Sequence, residues 1–249
     1  MKAIKILSLA LAISSAFILT SFAAFSDVEK SASYYEAVTV LSSLHILNGY
    51  ESNAFKPEGY VTRGEFSAII CRIMGLGDFA NENKADGIFT DVTEDHWASG
   101  YIATAYQAGI INGFGDGTFK PDENVKYEEA IKMLVSTLGY TPKAHALGGY
   151  PTGYMTIANV EGITTGTANS LEGATRATVA RLVFNALTVP MMDQTYYGPE
   201  ATFQKNIDMN LLYTKLNIIK AIAILTKLPL AKNDSNAVLE YTDIDRVAQ

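Results

Sequence analysis

Residues that could do chemistry are concentrated in one loop, NGFGDGTFKP at 112–121, which holds Gly113, Gly115, Gly117 and Asp116. A glycine-rich loop binds nucleotide phosphate when it follows a β-strand and precedes Lys-Ser or Lys-Thr. Here a helical pattern precedes the loop, and Phe-Lys-Pro follows it. A calcium loop needs several acids at alternate positions, and Asp116 stands almost alone. The loop is therefore predicted to be a glycine turn between two helices.

A second candidate is the stretch TRGE at 62–65. Thr62 and Glu65 have the spacing of a capping box at a helix start, an interpretation we prefer to ligand contact. Arg63 would sit in the first helical turn, where a cation opposes the helix dipole, so its position indicates an anionic ligand. A guanidinium offers a carboxylate two parallel hydrogen bonds. Arg176 has the same placement, whereas Tyr127 takes it in the middle part of the chain, so that pocket should be weak or altered.

Catalytic and metal-binding constellations are absent from the sequence. His45, His96 and His145 are scattered, and no Ser–His–Asp, HExxH or paired-carboxylate pattern accompanies them. The single cysteine, Cys71, lies on an apolar helical stripe and is predicted to be a buried, inert thiol. We expect no enzyme activity, no cofactor and no metal site.

The N-terminus has the pattern of a secretory signal peptide over residues 1–23: a basic start, an apolar stretch and a small-x-small cleavage site. The formal charge of the chain is −7, and removal of Lys2 and Lys5 with the signal leaves −9. Such a surface does not attract nucleic acid or anionic lipid at long range. An anionic partner would have to be held in a local pocket of the exported protein.

The chain repeats itself. Residues 25–76 and 89–140 align without a gap at an offset of 64, with Phe, Asp, Gly and Pro among the matches, and a fainter third copy follows. The predicted division is a signal peptide at 1–23, repeat one at 24–76, a linker at 77–88, repeat two at 89–140, a linker at 141–149, repeat three at 150–190, and an appendage at 191–249.

Each repeat reads as helix, loop, helix. The first helices are predicted at about 34–47, 97–109 and 152–161, and the second helices begin near 63, 127 and 176, where apolar residues recur at helical spacing. One helix pair cannot bury its apolar face alone, but three pairs together can. The fold class is predicted to be all-α, with the three helix-loop-helix repeats packed as a bundle.

The segment FTDVTEDHWASGYIATAYQAGIINGFGDGTFKPDENV, residues 89–125, resembles an S-layer homology (SLH) repeat almost from end to end. Repeat one keeps VTRGE but lacks the His-Trp pair, and repeat three, a degenerate copy, keeps Thr-Arg-Ala. The resemblance covers residues 25 to about 190. It implies a pseudo-threefold helical bundle that anchors an exported protein non-covalently to an anionic, often pyruvylated, secondary cell-wall polysaccharide. The implied location is the cell wall or the surface layer.

The resemblance also implies that ligand lies in grooves between adjacent repeats, with the arginine of the Thr-Arg-Ala-Glu element as the main contact. The glycan-binding candidates in this sequence are Arg63, Arg176, Thr62, Thr175, Asp27, Asp91, Trp97, Gly113, Asp116 and Gly117. Several have a structural alternative: Trp97 could fill the core, and Asp27 and Asp91 could be turn or capping acids. We expect Arg63→Ala to weaken binding and to leave the thermal melt nearly unchanged.

One further expectation combines the TRGE motif with the glycine loop: a groove could use Arg63 from one repeat and the 113–117 loop from the next.

Two other functions stay open. Degenerate repeats could mediate protein–protein contacts and self-association in a surface layer, or chemistry could reside in residues 191–249. That appendage has three open descriptions: a truncated product, a small β-structure, or a helix packed on the bundle. Segment 216–230 is too short and too charged for a membrane span.

Overall fold

The computed structural model describes residues 25–84, 87–196 and 202–217, together with the backbone of two later strands at 222–227 and 238–242. The predicted signal peptide lies outside the described residues. Helices make up most of the regular structure, as predicted. Their bounds are α1 Tyr35–Ser43, α2 Arg63–Ile73, α3 Gly77–Glu82, α4 Ser99–Gln107, α5 Tyr127–Thr137, α6 Thr141–Ala146, α7 Thr152–Val160 and α8 Arg176–Ala186.

The second helix of each repeat begins where the sequence predicted, at residues 63, 127 and 176. The first helices end earlier than predicted, because the chain turns through a left-handed residue at His45, Gly109 and Gly162. The next amide then bonds back into the helix; Ile110 N–H, for example, donates to Ala105 O at 3.0 Å. This Schellman arrangement satisfies helix-end carbonyls and starts each loop in the same direction.

The start of α2 is held by the predicted capping box. Glu65 N–H donates to Thr62 Oγ1 at 3.2 Å, and Thr62 N–H donates to Glu65 Oε2 at 2.9 Å. At the start of α8 the Thr175 hydroxyl accepts from Thr178 N–H. Both threonines therefore satisfy amides that the first helical turn leaves without a partner.

We expect Thr62→Ala to lower the free energy of unfolding by about 1 kcal/mol, because the Glu65 amide loses the hydroxyl that accepts its hydrogen bond. Urea titration followed by circular dichroism measures the change. Lys126, which precedes α5 at the equivalent position, carries no hydroxyl, so Lys126→Ala is the matched control and should change stability by less than about 0.5 kcal/mol. Equal losses in the two variants would contradict the capping role.

The two predicted linkers contain short helices, α3 and α6, which the sequence analysis did not identify. Each packs against the first helix of the following repeat at a glycine. A Cβ added at Gly100 would lie 1.9 Å from Ala80 O, and one added at Gly153 would lie 2.0 Å from Ala144 O. Only glycine allows this approach, so the repeats are joined by packed helices rather than by loose connections.

A closed ring of backbone hydrogen bonds joins the three repeats. Val61 N–H donates to Ala174 O at 3.1 Å, Ala174 N–H to Val125 O at 2.8 Å, and Val125 N–H to Val61 O at 2.9 Å. These extended residues immediately precede the second helices.

Around them lies a continuous apolar core that contains residues from all three repeats, including Phe66, Ile131 and Leu182. The predicted buried thiol belongs to this core: Cys71 Sγ–H donates to Tyr101 O, and burial raises its pKa to about 12.

The described part of the appendage is mainly β-structure, which corresponds to one of the three descriptions left open by the sequence. Strands β1 Met191–Tyr196 and β2 Thr202–Asn206 pair antiparallel, a π-helical turn follows at Leu211–Lys215, and β3 Ile222–Lys227 pairs antiparallel with β4 Val238–Thr242. The first hairpin and the turn contact the bundle: Met192 N–H donates to Leu138 O at 2.9 Å, and Leu212 N–H to Leu187 O at 3.0 Å. Among the described helices, none is long and apolar enough to cross a membrane.

Candidate functional site

The start of α2 lies against the loop of repeat two. Arg63 N–H donates to Glu123 O at 2.9 Å, and Gly64 N–H donates to Pro121 O at 2.8 Å. Two amides at the helix N-terminus are therefore satisfied by the neighbouring repeat, which fixes the position of the Arg63 side chain. Arg63 thus lies beside the loop region of the next repeat, as the predicted groove requires, and the use of that groove in binding stays a prediction.

Arg63 is a buried residue, and its side chain is bound from several sides. Its Nε–H donates to Phe119 O at 2.7 Å, and Nη1 forms an ion pair with Glu129 Oε2 at 2.9 Å. The guanidinium also lies over the rings of Phe119 and Phe114, at 4.5 and 4.8 Å from their centroids. The arginine thus helps to hold two repeats together, and the expectation that Arg63→Ala leaves the melt unchanged conflicts with these contacts.

Above this arginine is a cavity of about 230 Å³, here called the Arg63 groove. Three repeats contribute to it: the arginine comes from repeat one, the loop and helix α5 from repeat two, and a tyrosine from repeat three. Its lining residues are Arg63, Ile110, Ile111, Asn112, Gly113, Phe114, Glu129, Lys132, Met133 and Tyr150.

Lys132 and Tyr150 form the electrostatic centre of the Arg63 groove. Burial, and to a smaller extent the nearby Arg63 charge, lower the pKa of Lys132, while Glu129 acts in the opposite direction. With the Asn112 amide in its hydrogen-bonded orientation, Lys132 Nζ lies 3.2 Å from its side-chain oxygen. Burial and the charges of two glutamates raise the pKa of Tyr150 to about 12, so its hydroxyl stays protonated and can donate.

A second cavity, of about 190 Å³, is formed in the same way around Arg176 and is here called the Arg176 groove. Arg176 is 7% exposed; its Nε–H donates to Phe55 O and its Nη2–H to Asn48 O, both at 2.7 Å. Its guanidinium lies over the rings of Tyr50 and Phe55. The lining residues are Leu47, Asn48, Gly49, Tyr50, Glu65, Ala68, Ile69, Arg72, Trp97 and Arg176.

Trp97 forms one wall of the Arg176 groove and is 52% exposed. The core-filling alternative for this residue is therefore wrong. Tyr150 occupies the equivalent place in the Arg63 groove and is 48% exposed. An exposed aromatic ring beside polar groups is the arrangement used to stack on a planar or sugar-like surface, because one ring face stays free while the other packs.

Each groove is lined by two cationic side chains and one carboxylate. These are Arg63, Lys132 and Glu129 in one groove and Arg176, Arg72 and Glu65 in the other. Both grooves thus carry a net positive charge on a chain whose formal charge is −7. Positive charge confined to concave sites favours an anionic ligand, since the low-dielectric walls strengthen the attraction.

The third junction is built differently. Tyr127 stands where the other repeats have arginine, and its hydroxyl is 2.7 Å from Thr167 Oγ1 in the loop of repeat three. Arg181, at the position equivalent to Lys132, donates to Ser33 O at 2.8 Å and to Thr165 O at 3.3 Å. The loop of repeat three is therefore contacted by a tyrosine, Tyr127, whereas the loop of repeat two is contacted by Arg63.

Other predicted site residues have structural roles within their own loops. Asp27 accepts from the amides of Phe55 and Lys56, and Asp91 accepts from the equivalent amides of repeat two, all at 2.7–2.8 Å. Partial burial raises the pKa of Asp27, but the amide hydrogen bonds outweigh it and the net shift is downward. The turn and capping interpretation of these acids is confirmed; glycan contact by them stays a prediction.

Asp116 and Gly117 lie at the exposed tip of the loop. Asp116 Oδ1 accepts from the amide and the hydroxyl of Thr118, which lowers its pKa, and Gly117 has a left-handed φ of 83°. Gly113 lies in the Arg63 groove, where an added Cβ would be 2.3 Å from the Phe89 ring. The glycine-rich loop at 112–121 is therefore a turn, as predicted, and one of its glycines, Gly113, lines the Arg63 groove.

Sequence reasoning missed Lys132, Tyr150 and Arg72. Each of the two cations stands alone in an otherwise apolar stretch of sequence, Lys132 in AIKMLV and Arg72 in AIICRIM, which was the available signal. Tyr150 aligns with Trp97 when the register of repeat three is extended toward its N-terminus. No group of three or more His, Cys, Asp or Glu side chains within the described residues could hold a metal ion.

The S-layer homology domain model matches residues 24–67 and 88–131. A surface layer protein of Brevibacillus choshinensis is 32% identical over 180 residues, covering 72% of this chain and 16% of that protein. The middle cell wall protein of Brevibacillus brevis (strain 47) is 30% identical over 174 residues, covering 70% and 16%. Endo-1,4-beta-xylanase A of Thermoanaerobacterium saccharolyticum is 35% identical over 105 residues, covering 42% and 9%.

The region that resembles this chain is thus a small part of each relative, at most 16% of its length. The relatives have very different names, and the two matches of the family model fall in repeats one and two, which provide most of the Arg63 groove. Together, the matched repeats and their shared helix-loop-helix structure show that the chain belongs to the S-layer homology domain family.

Proposed function

We propose that this chain anchors an exported protein to the bacterial cell wall by binding an anionic cell-wall polysaccharide in the Arg63 and Arg176 grooves. The observation that carries the proposal is the pair of cationic, aromatic-walled grooves on an otherwise acidic chain. The predicted location at the cell wall or cell surface is supported by relatives named surface layer protein and middle cell wall protein. A region shared by such proteins and by a xylanase fits a role common to all of them, namely attachment.

The chemistry of each groove suits a carboxylate-bearing sugar, such as a pyruvylated one. A guanidinium has five N–H groups, and Arg63 uses Nε and Nη1 for Phe119 and Glu129, so further donors remain for a ligand carboxylate. Lys132 adds a second charge, and the partial burial that lowers its pKa is offset when an anion binds beside it. The Trp97 or Tyr150 ring then provides the surface for the apolar face of the sugar.

The equivalence of the two grooves follows if the three helix pairs surround a pseudo-threefold axis. The closed ring of backbone hydrogen bonds at Val61, Val125 and Ala174 supports this arrangement, because each repeat makes the same contact with the next. The third position of that arrangement holds Tyr127 and Arg181, and we expect it to contribute less to binding.

The decisive experiment is sedimentation of the full mature chain with purified cell-wall sacculi, before and after chemical removal of the secondary polysaccharide. Binding should be lost with the polymer. Binding that survives its removal would exclude the glycan proposal.

Protein–protein assembly, the alternative function, predicts concentration-dependent self-association without sacculi, which analytical ultracentrifugation measures. Matches of 180 and 174 residues are to proteins named surface layer protein and middle cell wall protein, which favours a non-enzymatic role.

We expect Lys132→Met to weaken sacculus binding about tenfold or more, because a charge-assisted hydrogen bond of about 1.5–3 kcal/mol is lost. Binding to the Arg63 groove should also fall as the pH rises through the lowered pKa of Lys132, since the deprotonated amine no longer attracts the anion. The Met variant should lack this decline. Lys120→Met, in the loop that precedes α5 and partly exposed, is the control; an equal loss of binding there would indicate an effect of general surface charge.

A further inference from the structure

Repeat one contains a cavity that is separate from the two cationic grooves. It lies between α1 and the first loop and has a volume of about 270 Å³. Aliphatic and aromatic side chains form most of its wall, and three loop residues, 47–49, separate it from the Arg176 groove. The lining residues are Phe25, Val28, Tyr35, Val38, Thr39, Ser42, His45, Leu47, Asn48, Gly49 and Asn53.

The cavity exists because one ring is missing. In repeat two the position equivalent to Ser42 is Tyr106, whose ring packs edge-on against Phe89 at 5.3 Å and 78°. Phe25 and Phe89 are otherwise placed alike: Phe25 lies 5.3 Å from Phe55, just as Phe89 lies 5.3 Å from Phe119. The same frame is therefore filled by a tyrosine ring in repeat two and left open in repeat one.

The missing ring has a measurable effect on its neighbours. Phe89, covered by the tyrosine, is 7% exposed, whereas Phe25 is only partly buried. Ser42 lines the cavity, and its hydroxyl oxygen is turned away from solvent, without a hydrogen-bond partner among the described residues. A buried hydroxyl without a partner is unfavourable, so rotation of the Ser42 side chain toward a polar group in the cavity is stabilising.

We propose that this cavity binds one small neutral aromatic compound bearing a hydroxyl group, of the phenol class. The ring takes the place that Tyr106 occupies in repeat two, edge-on to Phe25, and the Ser42 side chain rotates so that its hydroxyl bonds to the ligand hydroxyl. Apolar cavities of about 150 Å³ left by a missing side chain bind benzene-sized molecules, and this one is larger. The space accepts a single ring, well below the surface that a stable macromolecular interface buries.

The test uses phenol as the probe and the full mature chain, labelled for methyl NMR. Phenol should perturb the methyl groups of Val28 and Val38 in a saturable manner. Ser42→Tyr should abolish these changes, with at least a tenfold loss of affinity, because the new ring fills the cavity. Tyr106→Ser should create a second site, read at Val92 and Ile102, the equivalent residues of repeat two.

Matched variants keep the outcome interpretable. Ser43→Tyr places the same ring one residue away and should leave phenol binding intact, while Ser42→Thr keeps the hydroxyl and should still bind. Toluene, which lacks the hydroxyl, should bind more weakly than phenol to the natural chain and equally weakly to Ser42→Ala. If the Val28 and Val38 signals do not respond to millimolar phenol, or respond equally in a folded Ser42→Tyr variant, the proposal is wrong.

Discussion

Replacing Arg63 with alanine is expected to lower the free energy of unfolding by about 3–5 kcal/mol, the usual cost of breaking a buried ion pair by removing one partner. The Arg63 and Glu129 side chains are 8% and 15% exposed, so little water is available to replace the lost contact. Phe119 O also loses a hydrogen bond of 2.7 Å. Urea unfolding at neutral pH measures the effect.

A double-mutant cycle separates the ion pair from the other Arg63 contacts. Arg63→Ala, Glu129→Ala and the double variant should show a coupling energy of about 0.5–3 kcal/mol. The control is the surface pair of Lys120 and Glu123 on the same loop, whose side chains are 38% and 61% exposed; its removal should cost less than about 1 kcal/mol. Near-zero coupling between Arg63 and Glu129 would mean that the arginine is held mainly by Phe119.

Because Arg63→Ala alters stability, its effect on wall binding cannot be interpreted alone. Lys132→Met and Trp97→Ala are better probes of the grooves, since Trp97 is half exposed and Lys132 is not part of the repeat-to-repeat hydrogen bonds. Loss of binding in Arg63→Ala should be measured at a temperature where the variant is fully folded by circular dichroism. Measured in this way, the loss of binding reports contact between Arg63 and the ligand rather than the contribution of Arg63 to the stability of the groove.

Removing everything after residue 190 is expected to destabilise the bundle by about 3–6 kcal/mol. Met192 and Leu211 are almost completely buried against the helices, and burial of such side chains contributes about 1.5–3 kcal/mol each. The hydrogen bonds from Met192 to Leu138 and from Leu212 to Leu187 would be lost as well. Comparing the urea midpoints of fragments 24–190 and 24–217 tests this.

Point variants provide the matched control for the truncation. Leu211→Ala should cost about 2–5 kcal/mol, because it leaves a cavity in a fully buried position. Ile207→Ala, in the neighbouring turn and 77% exposed, should change stability by less than about 0.5 kcal/mol. If both fragments unfold at the same urea concentration, the hairpin and the π-helical turn are not part of the folding unit.

The sequence predicted the parts of the fold that depend on local signals. The second helices begin at 63, 127 and 176 because apolar periodicity begins there, and a capping threonine precedes the first and the third of them. The repeat register transfers each signal to the next copy. Helices α3 and α6 were missed, since six-residue helices in Gly- and Asn-containing segments have weak local propensity. Their stability comes from packing against Gly100 and Gly153, which is tertiary information.

The candidate site was predictable only in outline. Arg63 was identified from its position at a helix start, but its partner Glu129 lies in another repeat, and spacing along the chain does not reveal such a pair. Trp97 precedes α4 rather than lying within it, so no periodicity indicated whether its ring faces the core or solvent. Lys132 lies in an otherwise apolar stretch of the sequence. A single charged residue in such a stretch can either line a groove or lie at the solvent-exposed edge of the helix.

The closed ring at Val61, Val125 and Ala174 also determines how many repeats the unit can contain. A head-to-tail interface generates an endless filament unless its rotation closes, and here the third repeat bonds back to the first. A fourth repeat inserted into the chain would have no free position in the ring, and a chain of two would leave one amide and one carbonyl without partners. A second ring built in this way would need a second complete triplet, and we expect unfolding of any one repeat of this chain to destabilise the other two.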